Sequence, residues 1–315
     1  MNTWFTEDQT PDMRISLRVR GVLHREKSAY QEIAVYDTVQ MGRLLTLDDV
    51  IMTSDRDEYV YHEMISQVAL VTHPQPQRVL IIGGGDGGVV REVARHSEVK
   101  EIHLVEIDER VIAVSREFFP QIASALDDPR LTIHTSDGIE FVREAAERRA
   151  GYDVILCDST DPIGPAVGLF SSEFYRNAAR ALGDQGIFVA QTESPFFNRD
   201  LLRGIQRDLR EVFPLTCLYY AVVPTYPGGF WTFSLGSKGP DPLAAELHFE
   251  RVKGMPFKYY SPALHRAAFV LPPMALELTD GRAAGEDAEQ RSQAGAATRV
   301  QPDRAGETTA GAGTR

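Results

Sequence analysis

Five carboxylates recur at one kind of position in this chain. Asp86, Glu106, Asp137, and then Asp158 with Asp161, each stand where a short apolar run gives way to glycine, proline or small polar residues. Taken singly, an acid at such a place is a helix cap or a solvated turn. Gathered into one crevice, carboxylates repel one another unless cations or hydrogen-bond donors lie between them. The group therefore predicts an occupant with more than one positive charge and with hydroxyl or amine donors. Its tightest pair lies in Asp158-Ser159-Thr160-Asp161-Pro162-Ile163-Gly164-Pro165. There two acids three residues apart sit on a turn stiffened by prolines, which aims both at one small volume.

Positioning these acids requires a sheet whose strand ends converge. The stretch Arg78 to Val90, RVLIIGGGDGGVV, supplies its centre. Val79 to Ile82 suit a strand buried on both faces of a parallel sheet, and the glycines after it, Gly83 and Gly85 among them, allow a tight strand-to-helix turn and close approach of a ligand. Asp86 stands where a dinucleotide-binding loop would leave open N–H groups for a pyrophosphate, so the loop favours positive charge. Glu106, 18 residues past Gly88, falls where an acid accepts hydrogen bonds from a ribose diol. Asp137 suits an acceptor for an adenine amino group, with Gly138 leaving space for the ring. A glycine-rich loop followed by such an acid is shared by NAD enzymes and S-adenosylmethionine enzymes.

Strands and helices alternate from this point: VVREVARH, EIHLVEID, ERVIAVSREFF, RLTIHTSDG, IEFVREAAERRA, YDVILCDSTDP, SSEFYRNAARAL, GIFVAQTES and LLRGIQRDLREVF. This implies an α/β doubly wound sheet. TCLYYAVVP and GGFWTFSLGS, joined by TYPGG, predict an antiparallel pair that makes the sheet mixed at one edge. Before it, Thr3 to about Thr53 alternates as a small antiparallel sheet with hairpin turns, and DRDEYVYHEMISQVALVTH is a helix ended by Pro74 and Pro76. The expected organisation is an N-terminal antiparallel β domain over 1–55, a Rossmann-like catalytic domain over 56–279 and a disordered tail over 280–315. That tail is rich in Ala, Gly, Thr and charges, with Val300 its only large aliphatic.

The 315 residues are 43% hydrophobic and 25% charged, as in a soluble globular protein. The net charge of −12 argues against a nucleic-acid backbone as partner. No apolar run approaches the roughly 20 residues of a membrane span, and the start lacks a signal-peptide pattern, so a cytoplasmic protein is expected. Cys157 and Cys217, inside strand-like runs, read as buried free thiols. No Cys/His grouping has metal spacing and no Ser/His/Asp arrangement stands out, so no metal is expected.

The chain resembles the spermidine synthase family of polyamine aminopropyltransferases over roughly Trp4 to Lys238. The resemblance rests on YHEM from Tyr61, GGGDGG from Gly83, VEID from Val105, DG at Asp137, DSTDPIGPA from Asp158 and PTYPGG from Pro224. It implies a methyltransferase-like Rossmann domain behind an N-terminal β domain, a homodimer or homotetramer, and transfer of an aminopropyl group from decarboxylated S-adenosylmethionine, a co-substrate, to putrescine. Carried over by position, Asp158 is the catalytic base. His62, Asp86 and Asp161 hold the amine, with Ser159 and Thr160 beside them, Tyr61 and Tyr226 lining its pocket, and Gln191 a neighbour. Gln31, Glu106, Asp137, Gly138 and Pro165, with Gly83 and Gly85 of the loop, contact the nucleoside. His62 departs from the Gln found in many members, and the tail has no counterpart.

The residues' own chemistry agrees with that implication. Displacement at a methylene next to a sulfonium needs an aligned, deprotonated amine, whereas an alkyl amine of pKa about 10.4 is almost wholly protonated near neutrality. Asp158 can accept that proton while Asp86 and Asp161 satisfy the remaining charge. The rivals are transfer to another amine, a methyltransferase using S-adenosylmethionine, whose carboxylate Asp86 opposes, and a non-catalytic polyamine-binding protein.

Overall fold

The computed structural model describes residues 3–162 and 164–279, without the side chain of Pro165. Residues 280–315, expected as a disordered tail, lie outside the described residues. The chain opens with β1 (Thr3–Thr10), β2 (Met13–Lys27), β3 (Glu32–Thr38), β4 (Arg43–Leu47) and β5 (Val50–Ser54), an antiparallel meander in chain order. Alternation puts Phe5, Val19, Ala34, Tyr36, Leu44 and Ile51 in one apolar cluster. Ile33, Val35, Leu45 and Leu47 face the other way, onto Val111, Val114, Phe119 and Ile122. The tight β4–β5 turn places Asp48 and Asp49 at φ 49° and 63°, a left-handed conformation that Asp tolerates better than most residues.

The second sheet is built from β6 (Arg78–Gly83), α2 (Gly88–Ala94), β7 (Glu101–Glu106), α3 (Glu109–Phe118), β8 (Leu131–Thr135), α4 (Gly138–Glu147), β9 (Tyr152–Asp158), α5 (Ser172–Ala181), β10 (Leu182–Gln191), α6 (Arg199–Val212), β11 (Leu215–Val222) and β12 (Phe230–Ser237), all preceded by α1 (Glu58–Thr72). Its strand order is β11-β12-β10-β9-β6-β7-β8. The five strands from β8 to β10 run parallel, and β12 is antiparallel to both β10 and β11, so the edge is mixed as the short TYPGG link requires. Central β6 buries both faces. Val79 and Ile81 join the layer of α1 and α2, while Leu80 and Ile82 join that of α4, α5 and α6.

The helical spacing of α1 implies one apolar face, but the structure buries 14 of its 15 residues. The cause is the segment after β12, for which the sequence reading assigns no elements. It carries α7 (Pro262–Ala267) and wraps the helix. Glu63 of α1 accepts hydrogen bonds from the backbone N–H groups of Lys258, Tyr259 and Tyr260 at 2.9, 2.8 and 2.7 Å. Arg251 in turn donates to the carbonyls of Leu70 and His73. Polar positions on α1 are thus satisfied within protein, the condition under which they can be buried. Cys157 and Cys217 are both buried, and no described helix is long and apolar enough to cross a membrane.

Candidate active site

A cavity of about 390 Å³ lies at the carboxyl ends of β6 to β9, under the β4–β5 hairpin and the loop 223–229. Parallel pairing sets the strand ends side by side: Gly83 lies opposite Asp158, and Glu106 opposite Thr135, two residues before Asp137. The cavity is lined by Gln31, Tyr61, His62, Gly83, Gly85, Asp86, Glu106, Asp137, Gly138, Asp158, Ser159, Thr160, Asp161, Gln191 and Tyr226. Every residue that the sequence singled out is therefore present except Pro165, whose side chain lies outside the described residues. Its neighbours Gly164 and Ala166 line the wall.

The amine end is a relay of opposite charges. Glu58 and His62, one turn apart on α1, meet at 2.6 Å between Oε2 and Nδ1, and His62 Nε2 lies 3.2 Å from Asp86 Oδ2. Arg91 of α2 donates to both oxygens of Glu58, at 3.0 and 2.8 Å. Burial alone would strip His62 of its proton, but Asp86 and Glu58 outweigh it and hold the imidazole's pKa well above its ordinary value. Burial likewise opposes ionisation of Glu58, yet His62 and Arg91 bring it down to about 2. Asp86 is lowered too, since the attraction of His62 exceeds the cost of burial. Glycine makes this packing possible. A Cβ on Gly88 would stand 2.2 Å from His62 Cε1, and one on Gly84 2.7 Å from Asp158 Oδ2.

Among the described residues no salt bridge reaches Asp158. Burial first, and Asp86 second, push it up to about 6, against the pull of His62 and of the Tyr61 hydroxyl. A carboxylate at that value is ionised at neutral pH and remains a usable base. Burial and the charge of Asp158 keep Tyr61 and Tyr226 well above the ordinary tyrosine value, so both act as neutral donors. Tyr226 spends its hydrogen on the Met52 carbonyl at 2.6 Å and packs edge-on against Tyr61, which ties the loop to the N-terminal sheet. Ligand atoms of His62, Asp86 and Asp158 all lie within 4.8 Å of one another. Among the described residues this is the one grouping whose spacing admits a shared cation, whether an ammonium or a metal ion.

At the other end, Glu106 accepts the N–H of Gly85 at 3.2 Å and of Asp108 at 2.9 Å, and burial still lifts it to about 7. Asp137 caps α4 through the N–H of Ile139 at 2.8 Å while lining the cavity, so the cap and ligand roles coexist on one side chain. A Cβ on Gly138 would meet Ile82 Cγ2 at 2.5 Å. The glycine thus allows α4 to close onto β6, a packing role beside the space expected for a ring. Gln31 donates to Asp108 at 3.0 Å, carrying the N-terminal sheet to the mouth of the cavity.

Besides Glu58, two further buried acids at or beside the cavity, Glu7 and Glu193, carry no mark in the sequence reading. Glu7 of β1 lines the cavity, accepts the Ile51 N–H at 2.8 Å, and is pushed up to about 7 by burial and, more weakly, by Asp161. Glu193, just past β10, is also buried and sits behind Asp161. Neither carries a sequence signal: Glu7 is one of two adjacent acids on an alternating strand, and Glu193 ends an ordinary strand-like run.

Fold and cavity together define a Rossmann-like enzyme of the methyltransferase-type architecture, with an acid-lined pocket for a cationic small molecule. Comparison with known proteins gives the same class and narrows it. A spermine/spermidine synthase domain matches residues 58–244, and a spermidine synthase tetramerisation domain matches residues 3–55. The polyamine aminopropyltransferase of Moorella thermoacetica is 57% identical over 277 residues, 88% of this chain and 96% of that protein. That of Bacillus subtilis is 48% identical over 275 residues, 87% and 98% of the two chains. A solved spermidine synthase in complex with the transition state analogue AdoDATO superposes with a TM-score of 0.85 at 36% identity, covering 89% of this chain and 96% of the other. Spermidine synthase from Thermotoga maritima gives 0.84 at 35%, covering 90% and 96%. The chain belongs to the spermine/spermidine synthase family and is an aminopropyltransferase.

Proposed function

We propose that the enzyme moves the aminopropyl group of decarboxylated S-adenosylmethionine to putrescine, with Asp158 as the base. The observation that carries this reading is the convergence of Asp86, Asp158 and Asp161 on one cavity that Glu106 and Asp137 also line. The nucleoside lies toward Gln31, Glu106, Asp137 and Gly138. Its sulfonium and the amine lie toward His62, Asp86, Asp158 and Asp161, with Ser159, Thr160, Tyr61 and Tyr226 around them. The amine nitrogen attacks the methylene on sulfur. A C–N bond forms, the C–S bond breaks, and methylthioadenosine leaves as a neutral thioether. Before attack the nitrogen gives one proton to Asp158, which, as a weaker base than the amine, passes it to water, and the new secondary amine leaves as its ammonium. His62 and Glu58 fix Asp86 in place, and Glu7 offers a further acid for the far ammonium.

The 3–55 segment is read as the assembly domain of a homodimer or homotetramer, which agrees with the exposure of Trp4, Val22 and Leu23 on its strands. Residues 56–279 are read as the catalytic domain, at work in the cytoplasm. Incubating the enzyme with decarboxylated S-adenosylmethionine and a panel of putrescine, cadaverine, agmatine and spermidine tests the acceptor. Methylthioadenosine and spermidine in equal amounts, fastest with putrescine, are expected. Faster turnover with another amine would replace the acceptor, and methyl transfer from S-adenosylmethionine would replace the reaction.

A further inference from the structure

Glu193 is an acid in an unusual position. It is 2% exposed, and its backbone holds φ 71°, a left-handed conformation that a non-glycine residue adopts only when its surroundings enforce it. Those surroundings are specific. The backbone carbonyl of Glu193 accepts from the N–H and the hydroxyl of Thr232, at 3.0 and 2.7 Å, and its N–H donates to Gln191 Oε1 at 3.2 Å. The same Gln191 amide donates to the carbonyls of Ser159 and Thr160, at 3.2 and 3.4 Å, so Glu193 is anchored to the loop that carries Asp161.

The side chain is only half satisfied. Asn198 donates to Oε2 at 3.0 Å, while no donor reaches buried Oε1. The group facing it is the carboxyl of Asp161. Two ionised carboxylates in hydrogen-bonding range without a cation cannot both persist in a buried site. Among the described residues no salt bridge reaches Glu193, and its other partners, Gln191, Asn198 and Thr232, do not titrate. A proton on Glu193 Oε1 removes the conflict and gives that buried oxygen a partner in Asp161.

We propose that Glu193 is a positioning residue that stays protonated and donates a hydrogen bond to Asp161, holding that carboxyl group turned toward the amine. The inference rests on the proposed amine-binding role of Asp161. Burial and the neighbouring Asp161 push Glu193 up to about 10, consistent with a proton retained through the working pH range. The retained proton leaves one fewer buried negative charge beside the amine.

Glu193→Gln and Glu193→Ala test this against a charge role and against a purely structural one. Glutamine keeps a donor toward Asp161 and lacks a charge at any pH. Glu193→Gln is expected to stay within about threefold of the parent enzyme in kcat and in amine KM, whereas Glu193→Ala raises amine KM about tenfold or more, the range for loss of a hydrogen bond to a charged group, and leaves nucleoside KM unchanged. Equal damage from both substitutions would overturn the proposal, because it would mean that Glu193 acts as a carboxylate. A matching rise in nucleoside KM would overturn it by assigning a general structural role. Infrared difference spectra of the unliganded parent enzyme against Glu193→Gln at pH 7 need no turnover. They should contain the carbonyl stretch of a protonated carboxylic acid, and its absence would refute the retained proton even in an enzyme that transfers aminopropyl groups normally.

Discussion

Replacing Asp158 with asparagine separates proton removal from binding. The acceptor amine has a pKa of about 10.4, so at pH 7 only about one molecule in 2,500 is neutral. Asp158, held at about 6 by burial and Asp86, lies about 4 units below it. It is too weak to keep the proton and strong enough to relay it. A positioned general base contributes about a hundredfold to ten-thousandfold, or about 2.7 to 5.4 kcal/mol at 1.36 kcal/mol per factor of ten. Asparagine keeps the shape and the neighbour Tyr61 but cannot accept the proton. The expected result is a kcat lower by at least about a hundredfold. Nucleoside affinity should be retained, because Glu106 and Asp137 are held by their own backbone partners. Steady-state formation of methylthioadenosine gives the first quantity, and direct titration with methylthioadenosine the second. A kcat within about fivefold of the parent enzyme would remove Asp158 from the role, since that loss falls below the general-base range.

The chemical step should accelerate toward alkaline pH as the neutral amine becomes more populated beside ionised Asp158, and a flat single-turnover profile from about pH 6 to 9 would contradict this order of events. Glu58→Gln should cost stability: lowering a buried carboxyl from 4.5 to about 2 corresponds to about 3 kcal/mol. Because the folded-state value is the lower one, that stability is present above about pH 4.5 and is lost as pH falls toward about 2. Urea unfolding should therefore show a gap between variant and parent at pH 7 that narrows in acid, and equal stability at pH 7 would refute the relay. Gly88→Ala should raise amine KM by pushing His62 off Asp86, since its Cβ would fall 2.2 Å from the ring. An unchanged KM would show that the ring has room to move. Asp86→Asn should weaken the preference for the decarboxylated nucleoside over S-adenosylmethionine in competitive binding, and an unaltered preference would place the discrimination elsewhere.

What the sequence made legible was the sheet and the acids at its rim, for one reason. Apolar runs such as VLII and VILC reveal buried strands, and glycine and proline mark where those strands stop, so the position of an acid relative to the rim can be read from neighbours in sequence. Residues that reach the cavity from a distance carry no such mark. Glu7 is brought in by the register of β1 on β2 and by the docking of the N-terminal sheet, and in sequence it looks like Asp8 beside it, which is exposed. Glu193 gains its character from Asp161, 32 residues away, and from a left-handed backbone that no local glycine announces. The helical pattern of α1 gave its existence but not its burial, which depends on the chain after β12 folding back across it. His62 was legible as a ligand by likeness alone. Its charge depends on Glu58 one turn earlier and on Arg91 of a different helix.

A crystal structure with putrescine and methylthioadenosine bound together would test most directly whether one acid-lined hollow receives both substrates. It should place one nitrogen of putrescine within hydrogen-bond distance of Asp158 and facing the sulfur, with Asp86 and Asp161 on the same amine and the ribose on Glu106. An amine seated away from Asp158, or a nucleoside whose ribose leaves Glu106 uncontacted, would contradict the account.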